Sequence, residues 1–157
     1  REHRGRSWSL VFLTLTQPNA PAGAELAGAV RSFKKDVADW RRTVGVGEHF
    51  LGGIDYYEVT ENHQDGSLNI HVHGVWVMKK FWPQAELQDS WSHGIAHIKK
   101  VGDGKQAIRY VTAYLSKAPI VGVRTKERWG RCRGAAYAAI EELHQTVVID
   151  APDVLDA

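Results

Sequence analysis

Two histidines flank a single valine in the stretch NIHVHGVWV, residues 69–77. On an extended strand, side chains alternate between faces. His71 and His73 therefore project in parallel with Asn69, while Ile70 and Val72 point the other way. Two imidazoles a few Å apart can share one ion. The preceding segment GIDYYEVTENH (53–63) reads as a partner strand, and Asp65-Gly66 between the two is a hairpin signal. With that pair as a two-residue turn, His73 faces Glu58 and His71 faces Thr60, all on one side of the sheet. Two imidazoles and a carboxylate without thiolate suit Mn²⁺ or Mg²⁺ in a phosphate-handling site, and ligand type alone leaves Zn²⁺ open. Glu61 has the opposite parity and ranks lower. The plain alternative is a solvent-facing histidine pair with no ion.

A second set lies in RYVTAYLSK. Tyr110, Tyr114 and Lys117 fall at i, i+4 and i+7, one stripe of a helix. A phenol is a weak nucleophile at its ordinary pKa of about 10. It can attack a phosphodiester when a cation draws charge off the phosphate and an ammonium steadies the developing anion. Two hydroxyls one turn apart can act in succession. Alternatively both rings pack on the sheet, and Lys117 is a last-turn cation favouring the helix dipole. Further on, Arg124, Lys126, Arg128, Arg131 and Arg133 stand against Glu127 alone, a net of +4 in ten residues. These are candidate phosphate contacts. Trp129 is a candidate for stacking on a base, against simple packing under a basic loop.

The elements that must position these groups follow from periodicity. WSLVFLTLT (8–16) reads as a strand. Residues 22–43 keep a helical period through Leu26, Val30, Phe33, Val37 and Trp40. GVGEHFLGG reads as a loop entering the first hairpin strand. Pro83 opens a short helix ending near Trp91, and GIAHIKKV is another strand. Asp103 with Gln106 caps a helix over about 104–117 that stops at Pro119. Residues 124–134 read as a basic loop, 135–144 as helical and QTVVID as a last strand. This order predicts an α+β fold, a central antiparallel sheet of about five strands with helices on one side. Trp8, Trp40, Trp76, Trp82 and Trp91 are expected in the core.

A chain of 157 residues, 43% hydrophobic, can bury one ordinary core, so one domain over 1–157 is expected. No run of eighteen apolar residues exists, so no membrane span is expected. The charged start REHRGRSW lacks an apolar signal segment and an initiator Met, which predicts a piece cut from a longer protein. Cys132 is the sole cysteine; it forms no internal disulfide and fits a reducing cytoplasm. Residues 141–157 hold five acids and no Lys or Arg. The rest of the chain sets 20 basic groups against 13 acidic, a net of +7, which suits nucleic acid.

Taken together, FLTLT (12–16), EVTEN (58–62) with NIHVHG, and YVTAYLSK stand in the order of the three motifs of HUH endonucleases. The chain resembles the plasmid rolling-circle replication initiators over about residues 8–134. The resemblance implies a ferredoxin/RRM-like nuclease fold and a metal held by His71, His73 and Glu58. Many relatives carry a further histidine where this chain has Asn69. It implies that Tyr114, in a Tyr-x-x-Lys motif with Lys117, attacks DNA to leave a 5′-phosphotyrosine and a free 3′-OH. Some relatives place a Glu four residues upstream; Tyr110 stands there, so the chain resembles a two-tyrosine form. RWGRCRG is similar to a basic stretch in such initiators. The implied function is nicking and rejoining single-stranded DNA at an origin hairpin with Mn²⁺ or Mg²⁺, initiating rolling-circle replication of a plasmid or phage. A host helicase and polymerase are then expected partners. Rival readings are a two-tyrosine transposase nuclease domain, a non-catalytic nucleic-acid-binding module, and a cupin-type oxygenase. The last wants a Glu soon after the histidine pair, where GVWVMKK stands.

Overall fold

The computed structural model describes residues 9–101, 109, 113, 120 and 122–130. Within them, β1 (Ser9–Thr16), α1 (Leu26–Arg41), α2 (Val44–His49), β2 (Phe50–Glu61), β3 (Leu68–Met78), α3 (Gln84–Ser90), β4 (Ala96–Lys100) and β5 (Lys126–Gly130) follow in order. The five strands form one sheet, ordered β4-β1-β3-β2-β5, with every pairing antiparallel. This is the α+β architecture expected from the alternation of strand and helix patterns, and it is consistent with an HUH/RRM-like fold.

The helices share one face of the sheet. Val30, Phe33, Val37 and Trp40 form the buried stripe of α1, at the helical spacing read from the sequence. They meet Val11, Leu13 and Leu15 of β1 and Ile70, Val72 and Trp76 of β3, and Val46 of α2 and Leu87 of α3 join the same core. Indole rings fill the middle: Trp40 lies 5.7 Å from Trp76, 5.6 Å from Trp91 and 6.4 Å from Trp82 between centroids. Each such side chain, fully buried, contributes about 1.5–3 kcal/mol. A smaller buried cluster of Ile54, Tyr56 and Val77, with Leu10 and Leu51 against it, occupies the opposite face.

Three local expectations are corrected. GVGEH forms α2 rather than a loop: Val46 is fully buried and the His49 ring stacks on Trp82 at 4.3 Å, so packing overrides two glycines. Residues 126–130, read as basic loop, form β5, paired with β2 from Gly52 to Tyr56. The β2–β3 turn is longer than Asp65-Gly66 alone. Residues 62–67 form it, with Gly66 N donating to Asn62 O and Asn62 N to Ser67 O, both at 2.8 Å. Asn62 Oδ1 accepts from Gln64 N and Asp65 Oδ1 from Ser67 N, so both side chains cap the loop. Gly66 sits at φ 70°, where a side chain is strained.

The helices near Pro83 and from Leu26, and the strands of residues 8–16 and 94–101, lie where the periodicity placed them within a few residues. Of the helix predicted over 104–117, Arg109 and Ala113 are described, and both are helical and exposed. Trp8, the predicted helix at 135–144 and the predicted last strand lie outside the described residues. Among the described residues, no helix is long and apolar enough to cross a membrane.

Candidate metal centre

The longer turn moves the register by two residues. Glu58 pairs with His71, Tyr56 with His73 and Thr60 with Asn69. A slip of one residue would have turned Glu58 away, but a slip of two keeps its face. The three side chains therefore still converge. His71 Nε2 lies 3.0 Å and His73 Nε2 3.4 Å from the same oxygen, Glu58 Oε2. The imidazoles meet edge to face at 4.7 Å. One ligand atom from each residue lies within 4.8 Å of the others. All three side chains are 12–16% exposed, shielded but open to a small ion.

The far sides of the two rings are held. Asn69 Oδ1 is 2.9 Å from His71 Nδ1, and Thr14 Oγ1 is 3.1 Å from His73 Nδ1. Asn69 Nδ2 donates to Asn19 Oδ1 at 2.9 Å, which leaves Asn69 Oδ1 as the acceptor. His71 Nδ1 then carries the proton, and in the neutral ring Nε2 turns a lone pair toward a carboxylate oxygen. That arrangement is stabilised by a cation between them. Mixed N/O donors about 3.0–3.4 Å apart suit one divalent ion bound at roughly 2.0–2.2 Å from each. The residues present thus fit such a group. Asn69, standing where relatives have a histidine, orients His71 rather than joining the donor set. Thr14 comes from FLTLT, and the even-numbered positions of that strand share the histidine face. Neither support is visible in the residue pattern alone, although Thr14 could have been found from the pairing of β1 with β3, His73 opposite Thr14.

The remaining candidates distribute unevenly. Tyr110, Tyr114, Lys117, Arg131 and Arg133 lie outside the described residues. Arg124 is exposed, and its carbonyl accepts from Lys34 Nζ at 2.7 Å. Lys126 is exposed with its ammonium 6.0 Å from the Tyr56 ring centroid. Arg128 occupies the centre of β5. Trp129 is half-buried against Trp76 at 4.4 Å, with the Arg41 guanidinium 5.2 Å from its ring.

Beneath the same strands, on the helix face, lies a polar cluster not anticipated from the sequence. Asp55 is fully buried; it forms an ion pair with Arg41 and accepts from Trp76 Nε1 at 2.6 Å. Arg41 also reaches the Tyr57 hydroxyl at 3.3 Å and Glu127 at 3.8 Å. Burial pushes the Tyr57 phenol above its ordinary value, though the Arg41 charge opposes this. A Cβ at Gly74 would collide with both the Asp55 carboxylate and the Trp76 indole nitrogen, so glycine is required there.

An open antiparallel sheet carrying a paired-histidine centre on its bare face defines a class of α+β domain with a candidate phosphate-handling site. The chain belongs to the family of the replication-associated protein ORF2, whose pattern matches residues 10–119. It is 33% identical over 121 residues to a protein named Protein rep from Lactiplantibacillus plantarum. That match covers 68% of this chain and 37% of the relative, so the chain spans well under half the length of the curated relative it matches. No solved structure matches the chain.

Proposed function

We propose that this chain is a metal-dependent DNA endonuclease and strand transferase. It nicks and rejoins single-stranded DNA at a specific origin sequence, as one nicking domain, to initiate rolling-circle replication of a plasmid or phage in the cytoplasm. The observation that carries the reading is the convergence of Glu58, His71 and His73, with both outer ring nitrogens engaged, in a member of a replication-associated family. A divalent ion held there, Mn²⁺ or Mg²⁺, would supply charge stabilisation at a scissile phosphate.

The chain's own groups do the rest. The Tyr114 oxygen forms a bond to phosphorus as the bond from phosphorus to the 3′ oxygen breaks. The phenol proton passes to solvent and the 3′ oxygen takes one up, leaving a 3′-OH for a host polymerase. Lys117 steadies the negative charge that develops. The 5′-phosphotyrosine retains the energy of the original linkage, so rejoining needs no nucleotide, and Tyr110 serves the second transfer. Arg124, Lys126, Arg128, Arg131 and Arg133 contact phosphates of the bound strand. The buried cluster of Ile54, Tyr56 and Val77 supports placing the tyrosine helix on the histidine face, because α1, α2 and α3 all pack on the other.

The test is covalent capture. The protein is incubated with Mn²⁺ and a pool of single-stranded oligonucleotides, and adducts are resolved under denaturing conditions. Wild type gives an adduct that a chelator prevents, and Tyr114→Phe loses it. An undiminished adduct in Tyr114→Phe transfers the leading role to Tyr110. No adduct with any divalent ion, alongside intact DNA binding, leaves a non-catalytic binding module instead.

A further inference from the structure

Three lysines meet at the end of the sheet away from the paired histidines. Lys79 and Lys80 follow β3 directly, and Lys100 ends β4. All three are exposed, and with Phe81 they line a cavity of about 270 Å³. Among the described residues, none of them pairs with a carboxylate, unlike Lys34, Lys35, Arg41 and Arg42. Phe81 is 72% exposed, an aromatic ring presented to solvent among cations. Lys79 also borders a larger cavity of about 660 Å³, which Arg42 and Trp129 line as well. Among the described residues, no acidic side chain lines either cavity.

Like charges brought together raise one another's energy unless an anion neutralises them. An exposed ring beside them offers a stacking platform that is indifferent to base identity. We infer that the two cavities joined at Lys79 form a second polynucleotide-binding surface, with Lys79, Lys80 and Lys100 on phosphates and Phe81 stacked on a base. Lys79 lies six positions beyond His73 on the path of β3, roughly 20 Å along the strand direction. The surface therefore holds a segment several nucleotides from the scissile phosphate. It adds to affinity and register without touching the reacting atoms. Polynucleotide as the anion rests on the nuclease reading above; the cluster of unpaired cations does not.

The test uses the full chain and two probes. One is a labelled single strand of mixed sequence long enough to reach from the histidines to Lys100. The other is a short strand that cannot. Lys80→Glu with Lys100→Glu should weaken binding of the long strand at least tenfold. It should also flatten the dependence of log affinity on log salt by about 1.4, the share of two phosphates on a single strand. Binding of the short strand and its Mn²⁺-dependent adduct should be unchanged. Phe81→Ala should weaken the long strand with no change in salt slope. Unchanged affinity and slope for the long strand in the double variant would overturn the surface, whatever the adduct shows. So would loss of ATP binding in that variant with DNA binding intact, since the cavity would then hold a mononucleotide. Absence of an adduct from wild type, with the tenfold loss still present, would sink the nuclease reading and leave the surface standing.

Discussion

β2 and β3 carry one carboxylate on each side of the sheet, and the two are put to opposite uses. Asp55 faces the helices, fully buried, between the Arg41 guanidinium and the Trp76 indole N–H. Glu58, three residues on, faces the bare side and meets two imidazole Nε2 atoms. Around Asp55 the chain supplies a fixed cation and a fixed donor, so the group is satisfied once the protein folds. Around Glu58 it supplies lone-pair donors whose outer nitrogens are turned to Asn69 and Thr14. A carboxylate among donors is architecture; a carboxylate among acceptors is a socket for a cation.

The contrast is broken most sharply by removing the imidazoles. His71→Ala with His73→Ala should lower Mn²⁺-dependent nicking by about 10²–10⁴-fold, the equivalent of several kcal/mol of charge stabilisation. Its urea midpoint should stay near wild type. Asp55→Ala should do the reverse. It strands the Arg41 charge, whose side chain is 6% exposed. The variant should lose about 3–5 kcal/mol in urea unfolding, while the Mn²⁺ affinity of the protein that remains folded is retained.

Smaller changes sharpen the comparison. Thr14→Val and Asn69→Ala should each weaken Mn²⁺ binding by about 10–100-fold in calorimetric titration, because each frees one ring to turn. Full affinity in both variants would mean that the rings are held by packing alone. The smallest effect belongs to the turn. The Ser67 hydroxyl and backbone N–H hold the Asp65 carboxyl below its ordinary range. A group depressed in the folded state adds stability above its unfolded pKa, about 3.9, and loses it as pH falls through the lower folded value. Asp65→Asn should therefore reduce the stability difference between pH 6 and pH 3 only slightly, as read from urea midpoints at the two values.

The metal face was legible because strand parity is robust. The pattern that put His71 and His73 together also put Glu58 with them, and the register error of two residues left parity intact. The error arose because Asp65-Gly66 is a complete turn in many hairpins, whereas here Asn62 and Asp65 cap a six-residue loop with their own side chains. The helix face was less legible. GIDYY does not announce that Asp55 will be buried, since its partner Arg41 comes from the end of α1 and the two meet only in three dimensions. β5 was hidden for a related reason. KERWG is too charged to read as a strand, yet Glu127 is met by Lys34 and Arg41, and Trp129 closes over Trp76.

β3 is the middle strand of five, with β1 and β2 hydrogen-bonded along its two edges. Strand centres of this kind open only when the whole domain opens, so the amides of His71, Val72 and His73 should be among the slowest to exchange with deuterated solvent. The donor atoms are thus assembled before any ion arrives. Stripping the ion with a chelator leaves a folded apoprotein, and replacing one cation by another becomes a ligand exchange in a rigid frame rather than a cycle of unfolding and refolding.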